Sequence, residues 1–435
     1  MRSITSFSLT IVFSLLLGLP VVAESLQKMV DDTPTNGTLT LENKEYEGNI
    51  VIDKPMTLNG QQQTSIVGDR TGNVIEIRSD DVVVSNLKIK GSGMSRSSEE
   101  EHAGVRIIGD RNTLQNVHIS DSYHGIFLNK TTGTVIKDSH VVGHGIESLG
   151  NQGNGVHIAR SSNNTIQNSL FEKTRDGIFV EYSNENVVTG NTMTETRYGL
   201  HYMYSNFNEF KDNRFIKNTG GAAIMHSDHI LLENNQFSFN QGSRSFGLIV
   251  QTSRDVHVLN NEFHLNQRGL YLEQSTSNTI EGNDFFQNQI GVELWTSSTA
   301  HVFFKNHFRK NQIDALTVGG ESNNEWFKNG VGNYWYTPQL DFDQDGIGDE
   351  PVEYTSALDH LVQENELAYM FLSSPAILIY EKLNALLSSQ KIMAYDKYPL
   401  MDDNKKPSWM YLLGPIIFLL LSSIFIWNSI RKVKL

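Results

Sequence analysis

No cysteine occurs in the 435 residues. Disulfides, thiolate zinc sites, iron–sulfur clusters and cysteine nucleophiles are therefore excluded. Proline is scarce at nine residues, too few for a proline-rich or disordered body. Positive charge is short as well: the formal net charge is −14, and no basic stripe exists to neutralise phosphates, so nucleic acid is not expected as a partner. Long apolar runs occur only at the two ends.

What is present is repetitive. Ile, Val, Leu and Phe arrive in short bursts among Gly, Asn and Ser, the profile of many short strands separated by turns. One unit reads Phe210-Lys-Asp-Asn213-Arg-Phe215 and recurs at Leu232 to Phe237, Val258 to Phe263, Ile280 to Phe285 and Phe303 to Phe308. Its Asn column runs Val117, Ser139, Ser169, Asn191, Asn213, Asn235, Asn261, Asn283, Asn306 and Asn329, mostly 22 residues apart. A second unit begins with Gly and alternates apolar residues, at Gly155, Gly177, Gly199, Gly247, Gly269 and Gly291. Both columns share one period and one four-residue insertion.

Units this short with period-two alternation are strands. One coil cannot bury its apolar side alone, whereas stacked coils share a continuous core. The expected fold class is all-β: a right-handed single-stranded parallel β-helix with 22-residue coils, legible from about Ile50 to Trp335. Asn side chains are expected to form ladders between coils, and the recurrent Gly to occupy corners with φ > 0. The excess of eight residues between Ser139 and Ser169 places a loop around Gly143 to Gly153, containing His144. Another polar loop spans Gly91 to His102 and carries Glu99, Glu100 and Glu101. Such loops often carry binding.

Strand parity assigns directions to the Gly-anchored strands. Positions one and three after Gly point inward. Positions two and four are expected to face solvent: His157/Ala159, Phe179/Glu181, His201/Met203, Ala223/Met225, Ile249/Gln251, Tyr271/Glu273 and Glu293/Trp295. Met203 and Met225 fall one coil apart, with His201 and His226 close in sequence. Thioether and imidazole form a soft donor set that suits Cu(I), so these four are candidate copper ligands. The same pattern also fits a sheet face that tolerates amphipathic residues, with Met as filler. A polysaccharide-binding or -modifying protein, of lyase or epimerase type, is the competing reading of the outer face. It needs grouped carboxylates, and Glu181 and Glu273 lie four coils apart.

After the repeats, Asp341-Phe-Asp343-Gln-Asp345-Gly346-Ile-Gly-Asp349 resembles the front of a calcium loop. Asp341, Asp343, Asp345 and Asp349 are the candidate Ca²⁺ ligands; Val352 stands where an EF-hand has Glu. From Asp359 to Gln390 the apolar spacing becomes helical, with Pro375 separating two helices. This apolar surface needs a partner: the β-helix flank, the membrane or another protein.

The ends set the compartment. Arg2, the apolar Leu9 to Leu19 and the small residues Val21-Val22-Ala23 read as a signal peptide at 1–23. Trp409 to Trp427 is an uncharged apolar run of 19 residues, near the length that spans a bilayer. Arg431, Lys432 and Lys434 then stay cytoplasmic. The expected division is β-helix at 24–335, acidic turn and amphipathic helices at 336–406, a transmembrane helix at 407–430 and a cytoplasmic tail at 431–435. The body would lie in the periplasm, anchored to the inner membrane.

The coil period, the Gly332-Asn-Tyr-Trp335 exit, the acidic turn, Ser374-Pro375-Ala376 and Tyr398-Pro399-Leu400-Met401 together resemble the NosD family of nitrous oxide reductase maturation proteins. The resemblance covers nearly the whole mature chain. It implies a non-enzymatic periplasmic accessory of an ABC-type permease and ATPase, supporting copper-centre assembly in nitrous oxide reductase. A copper chaperone lipoprotein is a further implied partner. The C-terminal span departs from that pattern.

Overall fold

The computed structural model describes residues 25–401, except 95–100, 145–150, 243, 321–322, 365, 373 and 388–389. The expected signal peptide at 1–23 and the expected transmembrane helix at 407–430 lie outside the described residues. Among the described residues no helix is long and apolar enough to cross a membrane.

The chain forms a parallel β-helix of about 12 turns. One face is a twelve-stranded parallel sheet running from Ile50–Ile52 to Ile313–Val318. The remaining faces form a second parallel array, joined where Val83–Lys90 and Thr113–Ser120 run along both. Pairing starts earlier than the repeat suggests, with Thr38–Thr40 against Thr57–Asn59. Helix α1 (Leu26–Asp32) closes the open end by burying Leu26 and Val30.

Three kinds of column hold the coils in register. In the first, Asn213 donates through Nδ2 to Asn235 Oδ1 at 3.0 Å and to the Val188 carbonyl at 2.8 Å, and its backbone N–H donates to the same Oδ1. The ladder continues through Asn261, Asn283, Asn306 and Asn333. Asn333, rather than Asn329, therefore occupies the last rung, because the final coil is longer. Parallel ladders join Asn186 to Asn208 and Asn240 to Asn266 and Asn288. A Ser column, Ser161 to Ser253, passes backbone N–H bonds coil to coil. Inside, Phe215, Phe237, Phe263, Phe285 and Phe308 stack at 4.8–5.0 Å, ending on Trp335. That ring spacing is the strand spacing.

The recurrent Gly has a different cause from the one expected. None of Gly155, Gly177, Gly199, Gly221, Gly247 and Gly269 has positive φ. A Cβ on Gly221 would sit 2.2 Å from the Gly247 carbonyl oxygen, and the others meet the next coil's Gly at 2.4–2.7 Å. Close approach of the coils excludes a side chain. Left-handed residues instead precede the Asn column, at Gly190, Asp212, Asn234, Asn260 and Gly282.

The C-terminal segment caps the other end. Val352–Ser356 pairs antiparallel with Lys391–Asp396. Between them lie α2 (Leu358–Glu364), a 3-10 turn Glu366–Phe371 and α3 (Pro375–Leu386), as the helical spacing and Pro375 foretold. Leu358, Val362, Tyr369 and Met393 pack on Ile290, Ile313 and Leu316 of the last coils. The β-helix flank is thus one partner of this apolar segment.

Two substitutions test the columns. Gly221→Ala should cost about 3 kcal/mol through overpacking. Asn235→Ala should cost about 1–3 kcal/mol by stranding buried partners. Denaturant unfolding measures both; Gly221→Ala at wild-type stability would refute the close-approach account.

Candidate functional site

The outward column of the twelve-stranded sheet is continuous in register: Phe127, His157, Phe179, His201, Ala223, Ile249, Tyr271 and Glu293. These residues leave the coil interior as parity requires, but most do not reach solvent. His157, Ala223, Ile249, Tyr271 and Glu293 are all buried. Parity fixes direction and cannot report a cover. At one end Glu101 lies on the column, against His124 and His157. At the other, Tyr369 of the 3-10 turn donates to Glu293 Oε1 at 2.8 Å, beside Arg268.

Under the first cover, Glu101, His124 and His157 bring donor atoms within 4.8 Å of one another. Glu101 Oε2 lies 2.7 Å from His157 Nδ1 and 3.3 Å from His124 Nε2. His157 Nε2 faces Glu181 Oε1 at 3.3 Å. The sequence signal for this group was the acidic insertion loop; its docking on two distant histidines was not visible. The set has a metal-binding composition, and Glu101 Oε2, His124 Nε2 and His157 Nδ1 make no hydrogen bond despite their closeness. The Asn154 backbone N–H donates to His124 Nδ1 at 2.9 Å, so a neutral His124 ring carries its proton on Nε2, toward Glu101. A metal on Nε2 would require the imidazolate. His157 instead has a carboxylate at each nitrogen. Burial alone would lower its pKa, but Glu101 and Glu181 overcome that and hold it above the ordinary value. His124 is pushed down by burial, against Glu101. The two histidines hold the Glu101 carboxyl far below the usual range. The arrangement is a carboxylate–imidazole–carboxylate latch, with Glu101 and Glu181 at the two ring nitrogens of His157.

Next to it, Asp176 is buried and would be raised by burial, but His201 and Arg197 keep its pKa low. His201 Nδ1 lies 3.1 Å from Asp176 Oδ2. A cavity of about 110 Å³ between the two clusters is lined by His124, His157, Arg175, Arg197 and His201.

Of the four candidate copper ligands, the structure brings two together. Met203 and Met225 are register partners in adjacent strands and partly buried. His201 is two residues back, engaged with Asp176. His226 stands past the strand end, exposed, its ring 4.9 Å from Tyr204. Tyr182 stacks on Tyr204 at 5.1 Å, so the methionines border an exposed aromatic corner. Another imidazole–thioether contact, which the sequence did not reveal, joins the two insertion loops: His144 Nε2 lies 2.9 Å from Met94 Sδ.

In the acidic turn, Asp341, Asp343 and Asp345 gather within 4.8 Å, and Gly346 has φ 85°. The Asp345 charge raises the Asp343 pKa. Asp349 turns back to accept the Phe342 N–H at 2.8 Å.

A parallel β-helix with a covered polar outward face is the class these features define. A family model described as "Periplasmic copper-binding protein (NosD)" matches residues 144–340. "Probable ABC transporter binding protein NosD" of Pseudomonas aeruginosa is 33% identical over 83% of this chain and 88% of its own length. The protein of the same description from Stutzerimonas stutzeri is 31% identical over 82% and 85%. The chain belongs to the NosD family. The A-module of mannuronan C-5 epimerase AlgE6 from Azotobacter vinelandii aligns with TM-score 0.53 at 14% identity, over 70% of this chain and 92% of that one. The Yersinia enterocolitica family 28 exopolygalacturonase gives 0.53 at 9%, over 70% and 74%. At such identities the likeness is one of fold alone.

The latch predicts a pH dependence. A raised His157 pKa contributes stability that is complete below the unfolded value of about 6.5 and is lost as pH rises through the folded value. The depressed Glu101 pKa contributes stability above about pH 4.3, lost in stronger acid. Glu101→Gln should therefore lower the melting temperature most near pH 5.5 and progressively less toward pH 9. An equal loss at both pH values would refute the latch.

Proposed function

We propose that this protein is a non-enzymatic periplasmic accessory of an ABC-type transporter, and that it supports copper-centre assembly in nitrous oxide reductase. The observation that carries this reading is the 33% identity, over 88% of its length, to a relative described as an ABC transporter binding protein. The copper-binding description of the matched family model adds to it. The β-helix would present its outward face to the reductase and to a copper chaperone lipoprotein. The C-terminal segment would meet the permease and ATPase complex, with residues 407–430 as a membrane anchor.

Copper would be cargo rather than a resident cofactor. Met203 and Met225 would take Cu(I) from the solvent side, and His201 and His226 would complete the set by rotating off Asp176 and Tyr204. Thioether donors select Cu(I) over harder ions. Met203→Ala combined with Met225→Ala should weaken Cu(I) affinity at least about tenfold, or about 1.4 kcal/mol, in competition with a chromophoric Cu(I) chelator. Unchanged affinity would remove this pair from the pathway. His144→Ala in the same assay separates it from the Met94 contact.

The acidic turn would hold Ca²⁺ through Asp341, Asp343 and Asp345, with Asp349 ordering the loop. Ca²⁺ should raise the melting temperature of the wild type and leave Asp343→Asn unmoved. No shift in the wild type would rule the site out.

The competing polysaccharide reading draws on the fold of the epimerase and the exopolygalacturonase. Against it stands the chemistry beside the cavity between the two histidine clusters. The carboxylates beside that cavity are committed to His157, His201 and Arg197. Deleting the gene discriminates the two: copper-deficient nitrous oxide reductase supports the first, and altered exopolysaccharide with normal reductase supports the second.

A further inference from the structure

Helix α3 is oriented opposite to an ordinary surface helix. It buries none of its residues. Its inward side is polar and pinned: Glu381 accepts from the Ser356 hydroxyl at 2.8 Å and the Ala357 N–H at 3.1 Å, and Gln390 donates to Glu381 Oε2 at 2.7 Å. Ile377 packs toward the last coils. At about 100° per residue, Leu378, Leu386, Ile379 and Leu383 fall within an arc of roughly 140° on the other side. All four are exposed by more than half.

The composition of that arc selects its occupant. It holds Leu and Ile beside Pro375 and Lys382, with no Trp, Tyr or Arg of the kind that anchors protein interfaces. It is a convex ridge on a pinned helix, and a lipid surface needs no complementary groove. The Lys382 stem can lie along the apolar arc while its ammonium reaches phosphate. The chain's route agrees. Leu400 is bonded to the last coil through Asn333, and Met401 to Gly346. Only residues 402–408 separate Met401 from the uncharged run Trp409 to Trp427. The linker reaches at most about 30 Å, so an anchor there would keep this end of the body at the bilayer.

We propose that α3 lies in the headgroup region of a lipid bilayer, with Leu378, Ile379, Leu383 and Leu386 turned to the acyl chains. The proposal rests on the membrane-anchor part of the functional reading above. It assigns α3 a lipid contact and leaves the transporter contact to the rest of the C-terminal segment. Formal charge −14 gives no electrostatic draw to anionic lipid, so the contact is apolar and insensitive to salt.

Because the chain has no cysteine, single labels are clean. Full-length protein carrying Leu383→Cys, Leu386→Cys, Leu419→Cys or Tyr182→Cys is labelled with bimane and reconstituted in phosphatidylcholine vesicles with nitroxide-bearing acyl chains. The expected result is at least about twofold quenching at 383, 386 and 419, the depth of an interfacial helix for the first two, and none at 182. Quenching at 419 without 383 and 386 overturns the α3 proposal and leaves the anchor standing. Quenching at 383 and 386 without 419 supports α3 contact and overturns the anchor. No quenching at any of them overturns both. Labels at 383 and 386 shielded from lipid nitroxide and aqueous iodide alike would place protein on α3, and would also overturn it.

Discussion

Everything in this molecule depends on coils that stack at the spacing of a parallel sheet. Each residue then has the same position of the neighbouring coil directly above and below it, about 4.8 Å away. A side chain must be compatible with a copy of itself. Asn satisfies this better than any alternative of its size. Its amide donates upward and accepts from below, and its second N–H finds a backbone carbonyl, so a fully buried column such as Asn213 to Asn235 leaves no donor idle. Asp in the same column would stack buried like charges, which is costly. Ser makes only part of the set: the backbone N–H groups of Ser139 and Ser169 donate to the next coil, while their hydroxyls donate within their own coil, to the Lys137 and Gln167 carbonyls.

The same constraint explains what was legible in the sequence and what was not. Columns repeat, so the coil period, the strand direction and the Asn ladder could be read from one chain. The meaning of the Gly column could not. A strained corner and a close approach of backbones both demand glycine, and it takes the backbone angles and the 2.2 Å clearance at Gly221 to separate them. Asn329 failed for a related reason: an irregular final coil shifts the rung to Asn333, and periodicity says nothing about the coil that breaks it.

Covers are the other gap. Alternation along Gly155 to Ile158 correctly sent His157 out of the coil, but its environment comes from Glu101, fifty-six residues earlier in a loop that belongs to no repeat. Tyr369 reaches Glu293 from still further away. Non-repeating segments make these contacts, so no local pattern announces them. Both covers close over a buried ionisable side chain, His157 in one case and Glu293 in the other, and each removes part of the outward face from solvent.

The consequence for function lies in what remains uncovered. Between the Glu101 loop at one end and the 3-10 turn at the other, the middle coils keep Met203 and Met225 partly open beside Tyr182 and Tyr204. The charged groups converge instead at Glu101 with His124 and His157, and at Asp176 with Arg197 and His201 around the cavity. The open stretch carries soft and aromatic side chains, which suit transient contact with a protein or a soft metal ion better than acid–base chemistry. The half-open row is therefore mixed, with Met203 and Met225 at its centre and Glu181 and Glu273 in register on either side.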